Sequence, residues 1–187
     1  MELDCDEIAV FTAASEAFTK KNTNCSIQES LERIPPIIEL AKKNNIRVRG
    51  YVSCIMGCPY SGEVDPKLVR NLTIQLLEMG CFEVSLGDTI GSGTPQKTRN
   101  LLNHFSDIDI SKIAAHFHDT GNLALENLLI ALEYGISVMD SSVGGLGGCP
   151  YAQKVVGNVC TENVVYMLEK GLGKPCFKLI LRDSNWD

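Results

Sequence analysis

Hydrophobic positions along the chain follow two periods. Short β-branched or aromatic runs at Glu7-Ile-Ala-Val-Phe11, Ile46-Arg-Val-Arg-Gly-Tyr-Val52, Phe82-Glu-Val-Ser-Leu86, Ile113-Ala-Ala-His116 and Ser137-Val-Met-Asp140 predict five strands, each leading into a turn rich in glycine, serine or threonine. Between them the period lengthens to that of a helix. Val69, Leu72, Leu76 and Met79 form one apolar stripe, and Leu125, Leu128, Leu129 and Leu132 form another. Local chemistry marks the helix ends. Ser26-Ile-Gln-Glu29 is a capping box, while Asp65-Pro66 and Thr94-Pro95 each place a capping side chain before a proline at the first helical position. Gly80 and Gly135 stop the two striped helices. Pro35-Pro36 is expected to break or kink the first long helix.

Strands that alternate with single helices imply parallel pairing through crossovers, so the fold class is α/β: an open doubly wound sheet or part of a barrel. The pattern alone does not separate the two. Five βα units do not close an eight-stranded barrel, which takes about 250 residues.

Composition narrows the function. The chain has 187 residues, enough for one domain with its own core, and its apolar and charged fractions are those of a globular protein. A net charge of −6 offers no basic stripe for nucleic acid or an anionic membrane. No apolar run is long enough to span a bilayer. The acidic start Met1-Glu-Leu-Asp-Cys-Asp-Glu7 is not expected to be a secretory signal, and Ser184-Asn-Trp-Asp187 is not a peroxisomal address. The eight cysteines are irregularly spaced and read as reduced thiols of an intracellular enzyme rather than a disulfide framework.

Polar residues gather where strands end. In His116-Phe-His118 the strand alternation sends both imidazoles the same way, which makes half a metal site; two histidines bonded to neighbours is the competing reading. Asp119 follows, and its carboxylate is a candidate to orient a ligand histidine. Gly144-Gly-Leu-Gly-Gly-Cys-Pro-Tyr151 is neither a P-loop nor a dinucleotide fingerprint; it exposes a cysteine as a reactive thiol requires, and a flexible turn with an incidental cysteine is the competing reading. Ser85 and Asp88 leave the third strand at the same end, where parallel α/β proteins bind ligands. Cys54 and Cys58 could be drawn with the histidines as zinc ligands; their loose spacing argues against it.

Ser142-Val-Gly-Gly-Leu-Gly-Gly-Cys149-Pro-Tyr-Ala152 resembles the active-site cysteine loop of the 3-hydroxy-3-methylglutaryl-CoA (HMG-CoA) lyase family. Ala13-Ala-Ser-Glu16, Phe18-Thr-Lys-Lys-Asn22, Arg49-Gly-Tyr-Val-Ser-Cys54, Gly57-Cys-Pro-Tyr60, Ser85-Leu-Gly-Asp-Thr-Ile-Gly91 and His116-x-His-Asp-Thr120 agree with that family in the same order. The resemblance runs from about Glu7 to about Gly173 and implies a metal-dependent (β/α)8 barrel, here strands four to eight, with residues 174–187 as a divergent tail. It further implies cleavage of HMG-CoA to acetyl-CoA and acetoacetate, as in ketone-body formation and leucine degradation. It makes His116, His118 and Asn158 ligands of Mg2+ or Mn2+, Cys149 the catalytic thiol and Asp88 a catalytic residue lining the substrate pocket. Ser85 and Tyr51 would line the substrate pocket, and Lys21 and Asn22 would touch the CoA end. An acyl-CoA substrate, a homodimeric full-length enzyme and the mitochondrial matrix follow from the same likeness, with peroxisome or cytosol as alternatives.

The family's Arg-Asp-Gly motif is not found; Arg182-Asp183 lacks the glycine and stands at the wrong end. With that motif and three strands missing, the chain alone is expected to be marginally folded, with little or no lyase activity. Two other readings compete. One is a related barrel Claisen synthase of the isopropylmalate or homocitrate type, which lacks the Gly-Gly-Cys-Pro-Tyr loop. The other is a non-catalytic truncated isoform.

Overall fold

The structure, a computed structural model, describes residues 5–148 and 157–173. Five strands, β1 (Glu7–Ala13), β2 (Arg47–Ser53), β3 (Glu83–Asp88), β4 (Ile113–Phe117) and β5 (Val138–Asp140), form one parallel sheet in the order β1-β2-β3-β4-β5. Neighbours in sequence are neighbours in space throughout. A doubly wound sheet binds its ligand where the strand order reverses, and no reversal occurs among the described strands.

Among the described residues, seven α-helices, α1 (Glu16–Thr23), α2 (Ile27–Glu32), α3 (Ile34–Lys43), α4 (Pro66–Met79), α5 (Pro95–Leu102), α6 (Ala124–Glu133) and α7 (Thr161–Tyr166), connect and follow these strands. Their ends have the chemistry that the sequence carries. Ser26 and Glu29 close the capping box of α2. Asp65 and Thr94 accept from Lys67 N and Lys97 N at the starts of α4 and α5, and Gly80 ends α4 at φ 116°. The proline pair breaks the predicted long helix: α2 stops before Arg33, and Pro35 and Pro36 occupy the first turn of α3, where their missing N–H groups cost nothing.

Side chains alternate across each strand, and the two faces of the sheet differ sharply. Val10, Val48, Val52, Val84, Leu86, Ile113, Ala115 and Phe117 join a single apolar core with helix residues Leu72, Leu76, Leu101 and Leu128. Fully burying side chains of this size contributes roughly 1.5–3 kcal/mol each. The opposite, inner face carries Phe11, Arg49, Tyr51, Glu83, Ser85, His116 and Asp140, alternating with the core residues. Helices covering one face of a parallel sheet built in sequence order are the plan of a barrel wall. β1 and β5 each have one strand partner among the described residues, and Phe11 on β1 is 47% exposed.

Candidate active site

Strand register assembles the inner-face site. Tyr51 pairs with Ser85 across β2 and β3, and His116 pairs with Gly87 on one side and Asp140 on the other. His118 lies just past β4, two residues on, so its ring returns to the same face. The two imidazole centroids are 5.6 Å apart, and Tyr51 meets His116 edge-on at 6.2 Å. Ser85 is fully buried, and its hydroxyl donates to Asp140 Oδ2 at 2.8 Å.

His118 is 7% exposed, and its Nδ1 is buried with no hydrogen-bond partner among the described residues. Burial, reinforced by His116, pushes its pKa down to about 4, so at neutral pH the ring is uncharged with a lone pair to offer. His118 also forms an isolated antiparallel bridge with Asn158, while Val159 N donates to Phe117 O. The chain after the glycine loop is thereby laid against the end of β4.

Asn158 ties down that loop: its Nδ2 donates to Leu146 O at 3.0 Å, and its amide donates to Gly147 O. Gly157 is needed there, because a Cβ on it would stand 1.8 Å from Gly145 O. His116, His118 and Asn158 are thus brought to one rim, and Cys149, next in sequence after the described Gly148, lies outside the described residues. Asp88 is placed differently. Its parity is that of Val84 and Leu86, it is 1% exposed, and its carboxylate accepts from Ser92 N and Gly93 N at 3.2 and 2.7 Å. Burial raises its pKa, and the Gly93 and Ser92 bonds restrain the rise. Asp88 organises the β3–α5 loop, whose start also supports His118 through Asp88 O. Lys21 and Asn22 ride on α1, beyond the carboxyl end of β1, on the same rim but in no described contact with the histidines.

One reading of the sequence is corrected, and the zinc grouping that the cysteine spacing argued against does not form among the described residues. Asp119 does not orient a histidine: its Oδ1 accepts from Ala124 N and caps α6. Nor do Cys54 and Cys58 join the histidines, since they pack with Ala13 and Phe18, and Cys58 Sγ accepts from Ser15 Oγ at 2.9 Å. Among the described residues no group of three or more His, Cys, Asp or Glu side chains could hold a metal. Two imidazoles, one of them neutral with an orphaned nitrogen, nevertheless stand on a rim that the Asn158 backbone joins, and nitrogen and oxygen donors of these types fit a divalent cation.

The polar network on this face was not read from the sequence. Arg49 Nε meets Glu83 Oε1 at 2.6 Å, and its Nη1 meets Asp140 Oδ1 at 2.9 Å and bonds the Tyr51 hydroxyl. Burial opposes the charge of Arg49, but Asp140, Tyr51 and Glu83 together raise its pKa above the ordinary range. Asp140 shows the reverse balance: burial would raise it, and the bonds from His116, Arg49 and Ser85 bring it below the usual carboxylate value. The one available signal was charged residues inside otherwise apolar strands.

A sequentially ordered parallel wall, helices outside and a paired-imidazole rim inside, defines part of a (β/α)8 barrel. The comparisons with known proteins agree. The HMGL-like family profile matches residues 1–180, and the chain belongs to that family. It is 55% identical over 168 residues to the mitochondrial hydroxymethylglutaryl-CoA lyase of Bos taurus, covering 89% of this chain and 51% of that one. The structure of hydroxymethylglutaryl-CoA lyase from Pseudomonas aeruginosa superposes with a TM-score of 0.85 at 54% identity, over 89% of this chain and 56% of that one. An HMG-CoA lyase from Acinetobacter baumannii, in complex with coenzyme A and 3-methylmalate, gives 0.84 at 32% identity, over 91% and 55%. The chain spans about half the length of the curated relatives it matches.

Proposed function

We propose that this chain carries the metal-binding rim of an HMG-CoA lyase and serves the cleavage of HMG-CoA to acetyl-CoA and acetoacetate. The observation that carries the reading is the convergence of His116 and neutral His118 beside Asn158 on the inner rim. These three residues would hold Mg2+ or Mn2+. A divalent cation held there supplies Lewis acidity toward the tertiary hydroxyl of the substrate. In the cleavage that hydroxyl loses its proton, the C2–C3 bond breaks, and its electron pair passes to the thioester as an enolate while the hydroxyl carbon becomes the ketone of acetoacetate. Proton delivery to the enolate carbon completes acetyl-CoA, and Cys149 is the residue proposed for it. Tyr51 would line the pocket, Ser85, buried, would act through its bond to Asp140, and Asp88 through the loop that it orders. Lys21 and Asn22, on α1, are the residues proposed to meet the CoA end of the substrate.

Residence in the mitochondrial matrix belongs to the same proposal, supported by the mitochondrial mammalian relatives, and homodimerisation of the whole enzyme is carried over from the family resemblance alone. No helix among the described residues is long and apolar enough to cross a membrane. Because no Arg-Asp-Gly triplet occurs in the sequence, little turnover is expected from the chain alone. The test is therefore a Mn2+ titration followed by EPR, beside an assay of acetoacetate release from HMG-CoA. Weak Mn2+ binding that His118→Gln abolishes supports the site. Binding of equal strength in the variant refutes it.

A further inference from the structure

Asp140 ends β5 at the point where three inner-face side chains meet. Its Oδ2 takes the Ser85 hydroxyl at 2.8 Å and stands 3.2 Å from His116 Nδ1. Its Oδ1 is held by Arg49 Nη1 at 2.9 Å, and Arg49 is held in turn by Glu83 and by the Tyr51 hydroxyl. The register makes this assembly possible, since His116 lies directly opposite Asp140 on the neighbouring strand. An ionised carboxylate accepts and never donates. The arginine and serine already point donors at Asp140, so the nitrogen of His116 that faces it must carry a hydrogen.

We propose that Asp140 is a positioning residue that locks His116 in the Nδ1–H tautomer, leaving the Nε2 lone pair free for the inner rim. Which ring nitrogen of a histidine is available is set by the hydrogen bond that the other one makes. The two imidazoles are then prepared in different ways: His116 by a carboxylate clamped by arginine and serine, and His118 by burial, with no carboxylate of the described residues at its Nδ1. Outer partners of this kind typically change metal affinity about 10- to 100-fold when removed.

The assignment rests on the lyase reading only for its purpose, because the tautomer is a property of the metal-free chain. It can be read from long-range 1H–15N correlation spectra of the labelled protein at about pH 8, above the ordinary histidine range. The chain has three histidines, so His104→Gln and His118→Gln assign the remaining ring. We expect His116 to show the Nδ1–H pattern. In Asp140→Asn the amide oxygen must face Arg49, which has only donors, so the amide nitrogen faces the His116–Ser85 pair and shifts the ring to Nε2–H or a mixture. Ser85→Ala keeps Nδ1–H, since it removes a bond to Asp140 and none to the ring. A wild-type ring in the Nε2–H form overturns the proposal by itself, even should the asparagine variant fail to fold. A folded Asp140→Asn that keeps Nδ1–H overturns it equally. Mn2+ affinity measured by EPR is expected to fall about 10- to 100-fold in Asp140→Asn. Absence of lyase activity leaves these readouts unchanged.

Discussion

Gly91 links the β3–α5 loop to the histidine rim, and replacing it tests how tightly the two are packed. Its φ is +62°, and a Cβ there would lie 2.8 Å from His118 O, Thr120 N and Thr120 Cβ. Two of those three atoms are backbone and cannot rotate away. Gly62 is the natural control: its φ is +77°, and a Cβ there would meet nothing within 4 Å. In both Gly→Ala variants the left-handed conformation costs about 1–2 kcal/mol, and the stiffer unfolded chain returns about 0.4–1 kcal/mol. Only Gly91→Ala adds overpacking, typically about 1–3 kcal/mol. Gly62→Ala should therefore lose about 1 kcal/mol and Gly91→Ala about 2–4 kcal/mol. Urea unfolding followed by circular dichroism reads the difference; with a slope of about 1–3 kcal/mol per molar, 2 kcal/mol moves the midpoint by about 1 M. Equal losses in the two variants would refute the close backbone approach. The histidine spectra supply a second check, because the clash falls on the His118 carbonyl and should move that ring's resonances in Gly91→Ala alone.

Two further predictions follow from the same region. Protonated His118 is disfavoured in the fold, its pKa falling from 6.5 to about 4, so the unfolded chain binds the extra proton between those values. Its contribution is complete above about pH 6.5 and is lost as pH falls toward 4, by about 3 kcal/mol at most. Urea midpoints measured across that window should fall more steeply for the wild type than for His118→Gln, and parallel curves would contradict the assignment. Asp88 changes in the opposite sense, since burial favours its neutral form, and it is common to both proteins in that comparison. Asp88→Asn sets an amide donor against Ser92 N or Gly93 N and should cost about 1–3 kcal/mol. Hydrogen exchange of those two amides should accelerate with it, and unchanged protection would show that the carboxylate does not hold the loop.

All five strands were legible in the sequence, because short β-branched runs between turn residues have few other solutions. Their ends were less so. β3 continues through Gly87 and Asp88, two poor strand formers, because pairing with β2 and β4 holds them extended. The caps of α2, α4 and α5 were readable because they depend on residues within one turn of each other. The partner of His116 was not. Asp119 is close in sequence, but chain direction at the end of β4 sends it to α6; Asp140 is 24 residues away and arrives by strand register alone. Arg49 and Glu83 stand among apolar neighbours, and alternation by itself marks such residues as solvent-facing. Only knowing that the inner face of the wall is polar turns them into a buried pair. The roles of Asn158 and Cys149 came from resemblance and from no periodicity at all.

The inner network explains why this face can carry charge without a hydrophobic partner. An isolated buried carboxylate or guanidinium costs several kcal/mol, yet Arg49, Glu83 and Asp140 are all largely withdrawn from water. Each is met by an opposite charge, and the remaining acceptor positions of Asp140 are filled by Ser85 and His116. Stability therefore comes from the outer face, where Val52, Val84, Leu86 and Ile113 pack against helices, while the inner face, where Arg49 Nη2 is buried with no partner among the described residues, serves geometry. Removing one member of the network leaves its partner charged and unpaired, which costs more than the intact set contributes. That asymmetry favours keeping the whole set together. It also ties the orientation of His116 on β4 to Arg49, two strands away on β2, with Asp140 as the link between them.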